Sequence, residues 1–478
     1  MNGALSRGGW RPAAVLLAGL MGASLLVASP AAAVHGAVPG DFNGDGYRDA
    51  VLPAPGANVS GKEAAGAVVV LYGSAAGLSA PRRKTITQNS AGVPGTAEAH
   101  DGFGTATATA DLNRDGYADL VVSSPNEDST KGTDAGAVTV LWGSRNGLTS
   151  GTDLPTPATA SDDPTYYGLD VAALSTGPGT KTRVAVAGYD GSVFFSGPFS
   201  RTGTFGSVAY NRETPSTEAV ALGDFDGDTV PEPTVATTRL QGLSGGQVYA
   251  NPAIGEELQQ GNGLITATGD LNGDGYADLV AGDPDDPDVA GVDGTLGGRV
   301  LVWYGSKRGI ETDSKPVQIT QNTAGIPGAS EKDDNFGGAL AVADLNRDGL
   351  GDIVVGSPYE DLAKADAGQV TVVPGRRSGA LGTGAYSFSQ DTAGVPGASE
   401  AYDHFGGTVS AGDINKDGKP ELFVGAPGEN NYTGAVWVFP GAGSRPTATG
   451  SRLFSASSVG LTQRDSTYLG GNGLLWII

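Results

Sequence analysis

Aspartates recur at alternate positions in a nine-residue motif that this sequence contains six times. The general form is Asp-x-(Asp/Asn)-x-Asp-Gly-x-x-(Asp/Glu), and the copies occupy residues 41–49, 111–119, 224–232, 270–278, 344–352 and 413–421. Carboxylates on alternate residues, with a glycine at the sixth position for a sharp turn, build the cage of oxygen ligands that Ca²⁺ prefers. The motif therefore predicts about six calcium sites.

Other metals and other calcium motifs fit these residues less well. The chain has no cysteine and three histidines, which leaves few ligands for zinc or copper. Mg²⁺ keeps its waters rather than accept a cage made only of protein. An EF-hand needs a glutamate at the twelfth position and a helix after it, whereas the twelfth residue here is apolar, as in Leu52 and Val122. The remaining alternative is an acidic turn without metal, which six copies make the less favoured interpretation.

The spacing of the motif indicates what holds it in place. Successive copies begin 70, 113, 46, 74 and 69 residues apart, and a period of about 65 residues suits one four-stranded propeller blade. The interval of 113 leaves room for one more unit, at residues 166–197, which has lost the acidic loop. Short apolar runs between glycines and prolines read as strands. We predict an all-β fold, a seven-bladed β-propeller of four-stranded antiparallel blades, six with calcium loops and one degenerate.

Both chain ends offer a strand that could close the ring. The segment Tyr468 to Leu475 resembles a first strand with no acidic loop after it. We expect it to complete the blade that contains Asp41, because closure removes exposed sheet edges. The alternative is that Val34 to Pro39 supplies this strand and the C-terminal tail packs elsewhere.

The repeat resembles the FG-GAP repeat of the integrin α-chain head and of its bacterial relatives. Phe-Gly pairs open the units at Phe103, Phe336 and Phe405, and Gly425-Ala-Pro427 keeps the second signature. The resemblance implies that the first, third, fifth and ninth loop residues ligate calcium by side chain and the seventh by its carbonyl. The third loop departs from the pattern at Thr229 and Pro231. The implied ligands are Asp41, Asn43, Asp45, Tyr47 and Asp49; Asp111, Asn113, Asp115, Tyr117 and Asp119; Asp224, Asp226, Asp228, Val230 and Glu232; Asp270, Asn272, Asp274, Tyr276 and Asp278; Asp344, Asn346, Asp348, Leu350 and Asp352; and Asp413, Asn415, Asp417, Lys419 and Glu421.

The start of the chain and its charge indicate where the protein acts. Residues 1–33 carry Arg7, Arg11, an apolar run and an Ala-rich end, which predicts a secretory signal peptide, with the propeller in residues 34–478. The expected product is secreted, extracellular, monomeric and without a membrane span. The formal net charge of −23 disfavours nucleic acid as a partner.

A binding or adhesion-like module is the function that this pattern favours, with an unknown extracellular protein or glycan as its partner, and no enzymatic activity is expected. The family resemblance places the ligand face opposite the calcium loops, on loops such as 88–98, 126–135, 283–296 and 359–367. The segment from Asp283 to Asp293, with Asp285, Asp286 and Asp288, could take a cation or a basic partner, or be a solvated loop.

An extracellular hydrolase or lyase that acts on a polymer is the alternative function. Ser244 lies in a Gly-x-Ser-x-Gly sequence, but a strand-like stretch rather than a helix follows it. His35, His100 and His404 share no triad or metal spacing and are interpreted as polar loop residues. An enzyme would need a deep pocket with converging acids outside the calcium loops.

Overall fold

The computed structural model describes residues 38–157, 164–214, 216–239, 244–252, 255–287, 291–462 and 466–473. Seven four-stranded antiparallel sheets follow one another along these residues, each forming one blade. The predicted all-β, seven-bladed propeller is therefore confirmed. The predicted signal peptide, residues 1–33, lies outside the described residues. In the described ranges, no helix has the length and apolar character needed to cross a membrane.

Each blade runs from a first, inner strand to a fourth, outer strand. Blade 1 contains β1 (Val38–Gly40), β2 (Asp49–Ala54), β3 (Ala67–Leu71) and β4 (Arg83–Ile86). Blade 2 contains β5 (Thr107–Ala110), β6 (Asp119–Ser124), β7 (Ala137–Trp142) and β8 (Ser150–Leu154). Blade 3 contains β9 (Val171–Ser175), β10 (Thr182–Gly188), β11 (Gly191–Ser196) and β12 (Ser207–Asn211). Blade 4 contains β13 (Thr217–Gly223), β14 (Glu232–Thr237), β15 (Gly246–Asn251) and β16 (Glu256–Gly263).

The remaining three blades follow the same plan. Blade 5 contains β17 (Ile265–Gly269), β18 (Asp278–Asp283), β19 (Arg299–Trp303) and β20 (Val317–Ile319). Blade 6 contains β21 (Ala339–Ala343), β22 (Asp352–Ser357), β23 (Gln369–Val373) and β24 (Tyr386–Phe388). Blade 7 contains β25 (Thr408–Gly412), β26 (Glu421–Ala426), β27 (Ala435–Phe439) and, after a short hairpin of β28 (Gly441–Ala442) and β29 (Arg445–Pro446), β30 (Arg452–Ser455). The helical segments among these residues are a 3₁₀ turn (Gly179–Lys181) and α1 (Glu429–Tyr432).

Packing between neighbouring blades forms the core. The second strands β2, β6, β18, β22 and β26 are buried along their whole length, because a blade lies against each of their faces. Buried apolar side chains of the described residues form seven clusters, one at each junction between blades. One cluster joins Leu52 of blade 1 to Phe423 of blade 7, so the first and last blades pack together.

The Phe-Gly pairs link each of their blades to the blade before it. Phe103 N–H donates to the carbonyl of Ala65 in blade 1 at 3.0 Å, and Gly104 N–H donates to the carbonyl of Ser123 in its own blade at 2.9 Å. This contact explains the glycine before each third strand. A Cβ on Gly66 would lie 2.2 Å from the backbone nitrogen of Phe103, and its φ is +87°. Only a residue without a side chain allows the two backbones to approach so closely.

The strand that pairs with β2 in blade 1 is β1, through Val38–Val51 and Gly40–Asp49. The expectation that Tyr468 to Leu475 supplies this strand is not confirmed, and residues 474–478 lie outside the described residues. Leu469 and Gly470 of the tail instead make the backbone contacts that Phe103 and Gly104 make in blade 2. Leu469 N–H donates to the carbonyl of Thr433 at 3.0 Å, and Gly470 N–H donates to that of Pro53 at 2.7 Å. The tail thus contacts both blade 7 and blade 1.

The degenerate unit is blade 3, and it extends to Asn211 rather than ending at residue 197. Its first two strands are joined by the 3₁₀ turn instead of an acidic loop. The hydroxyl of Thr176 closes this turn by donating to the carbonyl of Lys181 at 3.0 Å. In this blade, a turn closed by a hydrogen bond therefore replaces the acidic loop.

Candidate metal centres and the opposite face

The six acidic motifs form the hairpins between the first and second strands of blades 1, 2, 4, 5, 6 and 7. Because all blades run in the same direction from their inner strand, these hairpins share one face of the ring. Neighbouring hairpins are also linked, since Ala118 N–H donates to the carbonyl of Asp41 at 2.8 Å. The candidate sites therefore lie side by side on a rigid rim.

The first, third and fifth side chains of each loop turn inward onto the loop backbone. In the second loop, the Asp111 carboxylate accepts hydrogen bonds from the N–H groups of Asp115 and Gly116, both at 3.0 Å. Asn113 Oδ1 accepts from Asp115 N–H at 3.0 Å. Asp115 Oδ1 accepts from Tyr117 N–H at 3.2 Å. These hydrogen bonds hold the oxygen atoms of alternate residues against the backbone of one turn.

The same frame recurs in the other loops. In all six, the N–H of the seventh residue donates to the carboxylate of the fifth, at distances of 2.6 to 3.2 Å. In all six, the carboxylate of the first residue accepts from the N–H of the sixth, at 2.8 to 3.1 Å. The predicted ligand residues are thus brought together within each loop.

The carboxylate of the ninth residue lies on the buried side of each loop. Asp119 is fully buried, and its two oxygens accept from Leu112 N–H and Gly143 N–H, both at 2.9 Å. Burial raises the pKa of its carboxyl to about 7, with Asp115 and Asp111 adding repulsion. A bound cation would favour the ionised form. Burial raises the pKa to about 7 in the same way at Asp49, Glu232, Asp278, Asp352 and Glu421.

The third loop, which departs most from the motif, fits a cation well. Thr229 replaces the glycine and adopts its left-handed conformation, with a φ of +72°. Asp224 still accepts from Thr229 N–H at 3.1 Å. Carboxylate oxygens of Asp224, Asp226 and Glu232 all lie within 4.8 Å of one another. Within the described residues this is the one group of three acids that converges so closely; the other loops carry asparagine at the position of Asp226.

Basic side chains approach the fifth carboxylate in three loops. Arg201 of blade 3 reaches Asp115 of the second loop, with 2.5 Å between Nη2 and Oδ2. A longer pair joins Lys419 to Asp417 at 3.5 Å. A cation on this carboxylate competes with a metal ion for the same oxygens. Loops that share one sequence motif therefore differ in whether a basic side chain contacts the carboxylate of the fifth residue.

The opposite face contains a repeated polar cluster, here called the junction cluster, that the sequence motifs did not reveal. Gln88, after the fourth strand of blade 1, donates to Glu127 of blade 2 at 2.5 Å. Asp101 accepts from Glu98 N–H beside it, also at 2.5 Å. The equivalent pairs are Gln321 with Glu360 and Gln390 with Glu429. The separation of 39 residues is the same in all three, and this fixed spacing is the signal that could have identified the cluster.

The glutamates of the junction clusters are weak acids. Burial raises the pKa of Glu127, Glu360 and Glu429 to about 7 in each case, and the neighbouring aspartate adds repulsion. The pKa of Asp334, beside Glu360, is raised to about 6 by the same causes. Each junction cluster therefore retains a proton under mildly acidic conditions.

The acidic segment from Asp283 onward is occupied by partners within the chain. Arg299 contacts Asp283 at 2.9 Å and Asp293 at 2.7 Å, and Asp285 pairs with Arg239. Asp286 accepts from Gly297 N–H at 2.5 Å. Residue 288 lies outside the described residues. Asp283 and Asp285 are thus buried and paired within the chain, whereas Asp293 pairs with Arg299 at the exposed surface.

The serine of the Gly-x-Ser-x-Gly sequence lies in the same network. The Ser244 side chain is buried and donates to Asp283 at 2.8 Å, and β15 starts two residues later. A nucleophile elbow requires a helix after the serine. The Ser244 side chain is therefore part of the hydrogen-bond network that supports this loop.

His404 lies in the loop before β25, as the sequence indicates, but it is buried. It is 3% exposed, and its ring lies 4.6 Å from that of Tyr359 and 6.1 Å from that of Tyr432. Burial lowers its pKa to about 4, so the ring is neutral at physiological pH. His100 is exposed, and His35 lies outside the described residues.

Comparison with known proteins agrees with this architecture. Residues 33–71, 103–141, 336–373 and 405–439 match the FG-GAP repeat. Integrin alpha pat-2 of Caenorhabditis briggsae is 32% identical over 212 residues, which cover 41% of this chain and 15% of the integrin. Phosphatidylinositol-glycan-specific phospholipase D of Bos taurus is 30% identical over 214 residues, which cover 44% of this chain and 24% of the phospholipase.

A solved structure, the rhamnogalacturonan lyase of Bacillus licheniformis, aligns with a TM-score of 0.28 and 15% identity over 77% of this chain and 69% of the lyase. The matches to the integrin and the phospholipase span a quarter or less of those proteins' length. The FG-GAP repeats, the integrin-like relatives and the seven four-stranded sheets together support an integrin-like β-propeller.

Proposed function

We propose that this chain is an extracellular, calcium-binding β-propeller that acts as a binding module. The observation that carries the proposal is the common frame of the six loops, in which backbone N–H groups hold alternate oxygen-bearing side chains in one turn next to the ninth acid. Such a donor set of carboxylate, amide and backbone oxygens suits Ca²⁺. The convergence of Asp224, Asp226 and Glu232 gives further support.

Calcium would neutralise the negative charges that the fold brings close together in each acidic loop. Five loops contain three carboxylates each and one contains four, so the six loops hold 19 carboxylates in total. The side chains at the first, third, fifth and ninth positions would hold the ion. Because the loop is formed in the folded chain, calcium binds that state in preference to the unfolded one. Each site would then add about 2.7 kcal/mol of stability when free calcium exceeds its Kd a hundredfold.

Thermal unfolding tests the calcium proposal. We expect the Tm to fall strongly when EDTA replaces calcium, and magnesium to restore little of the loss. The variant Asp111→Asn should lower the calcium stoichiometry measured by calorimetry by one site. Asp313→Asn, which changes an exposed acid outside the loops, should leave the stoichiometry unaltered. A melting curve that is the same in calcium and in EDTA would refute the proposal.

Binding rather than catalysis is the role that we propose for the ring. The buried hydrogen bonds of Ser244 support it, since they leave this side chain in a structural network. Secretion is part of the same proposal and rests on residues 1–33. Export from cells that express the full chain, with an N-terminus at Val34, tests it. Release of reducing ends from polysaccharides by the purified protein would favour the hydrolase or lyase alternative.

A further inference from the structure

Blade 3 contains an open cleft on the face opposite the candidate calcium loops. Tyr167, Asp190, Tyr210 and Arg212 contribute to its lining. Tyr167 comes from the segment that enters blade 3, Asp190 from the turn between β10 and β11, and the other two from the end of β12. Three separate segments therefore meet around this space.

The cleft exists because blade 3 lacks a loop that other blades have. In blade 2, residues 125–136 join the second and third strands and carry Glu127, which meets Gln88 in the junction cluster. In blade 3, only Tyr189 and Asp190 lie between β10 and β11. Among the described residues, the short turn therefore offers no counterpart of Glu127 at the place that a junction cluster fills elsewhere.

Tyr167 places an unsatisfied hydroxyl at this cleft. It occupies the position of Phe103, and it makes the same contact, because its N–H donates to the carbonyl of Ala135 at 3.3 Å. Tyr167 is 3% exposed, and its hydroxyl has no hydrogen-bond partner among the described residues. A phenylalanine, as at blades 2, 6 and 7, would pack equally well without burying an unpaired polar group. Burial raises the pKa of Tyr167 well above its ordinary value, so the hydroxyl stays protonated and can donate.

The rim of the cleft combines aromatic surface with a charged pair. Tyr210 is 51% exposed, and Tyr189, in the turn between β10 and β11, is 43% exposed. The ring of Tyr189 packs edge-on against that of Tyr166, with centroids 5.1 Å apart, which fixes its orientation. Arg212 Nη2 lies 3.3 Å from Asp190 Oδ2. Exposed aromatic rings beside fixed donors and acceptors are typical of sites that bind amphipathic molecules.

We propose that this cleft binds a neutral sugar unit of an extracellular carbohydrate. The apolar C–H face of a sugar ring suits the exposed Tyr210, and its hydroxyl groups suit the Tyr167 hydroxyl and the Asp190–Arg212 pair. The formal net charge of −23 disfavours phosphorylated or sulfated ligands. The proposal rests on the binding role proposed above and adds the class of ligand.

Saturation-transfer NMR on the full secreted chain in calcium tests this site. The probes are methyl α-D-mannopyranoside, methyl β-D-glucopyranoside, methyl β-D-galactopyranoside and cellotetraose. We expect transfer to at least one probe, at least tenfold weaker binding in Tyr210→Ala, and several-fold weaker binding in Tyr167→Phe. Tyr402→Ala, which removes a tyrosine of similar exposure (55%) at another blade, should bind like the parent chain.

Absence of transfer to all four probes, or equal binding by Tyr210→Ala and the parent chain, would overturn the proposal. Tyr167→Phe should also raise the Tm in the absence of sugar, since it removes an unpaired buried hydroxyl. A lower Tm would show that the hydroxyl already has a partner. If calcium stabilises the chain but no probe binds, only the sugar site fails; if probes bind and calcium has no effect on the Tm, only the calcium proposal fails.

Discussion

Replacing Glu127, Glu360 and Glu429 together by glutamine is expected to flatten the dependence of folding stability on pH. Each carboxyl has its pKa raised from 4.5 to about 7 in the folded chain, chiefly by burial. Between these two values the folded chain keeps the proton and the unfolded chain loses it. The stabilisation is therefore complete below about pH 4.5 and is lost as the pH rises through about 7.

The size of the effect follows from the same values. A rise from 4.5 to about 7 corresponds to at most about 3 kcal/mol per group. Solvent reaches part of each junction cluster, and Glu127 is only half-buried, so screening reduces this value. We expect about 1 kcal/mol per junction cluster, or about 3 kcal/mol for the three together.

Urea unfolding at pH 5 and pH 8, in saturating calcium to keep the acidic loops ionised, measures this difference. The glutamine variant should match the parent chain at pH 5, because an amide resembles a protonated carboxyl, and exceed it by about 3 kcal/mol at pH 8. A control with Glu63, Glu213 and Glu256 replaced by glutamine removes three exposed charges outside the junction clusters. It should keep the pH dependence of the parent. If the variant and the parent share one pH profile, the glutamates are ionised in the folded chain and the reasoning is wrong.

Three further changes test the loops and the ring. Arg201→Gln removes the cation beside Asp115 and should tighten calcium binding at the second loop about twofold to fivefold by calorimetry; weaker binding would show that the arginine supports the site. Gly66→Ala should destabilise the chain by at least about 2 kcal/mol more than Gly61→Ala, which has a similar φ and open space around it. Equal losses in the free energy of unfolding, measured in urea, would show that the close approach of the Phe103 backbone does not restrict the side chain at position 66. Leu469→Ala should cost about 2–5 kcal/mol, since this side chain is fully buried between blades 7 and 1, and a loss under about 0.5 kcal/mol would exclude a role of the tail in closure.

Local features of the chain determined the blades and their loops. The period of the acidic motif, the apolar second and third strands and the glycine before each third strand predict the seven sheets, because strand pairing within a blade joins segments close in sequence. The loop frame is equally local, since the bonds from Asp111 to Asp115 and Gly116 span four and five residues. The acid-free unit at blade 3 was also visible in the spacing of the motif.

Contacts between blades were decided only by the tertiary structure. The Gln88–Glu127 pair, the burial of His404 and the docking of Leu469 on Thr433 all join segments from different blades or from the end of the chain. Their formation depends on how closed the ring is and how long each loop is, which no local pattern encodes. The acidic loops could thus be predicted from the residues alone, whereas the protonated junction clusters and the cleft of blade 3 required the assembled ring.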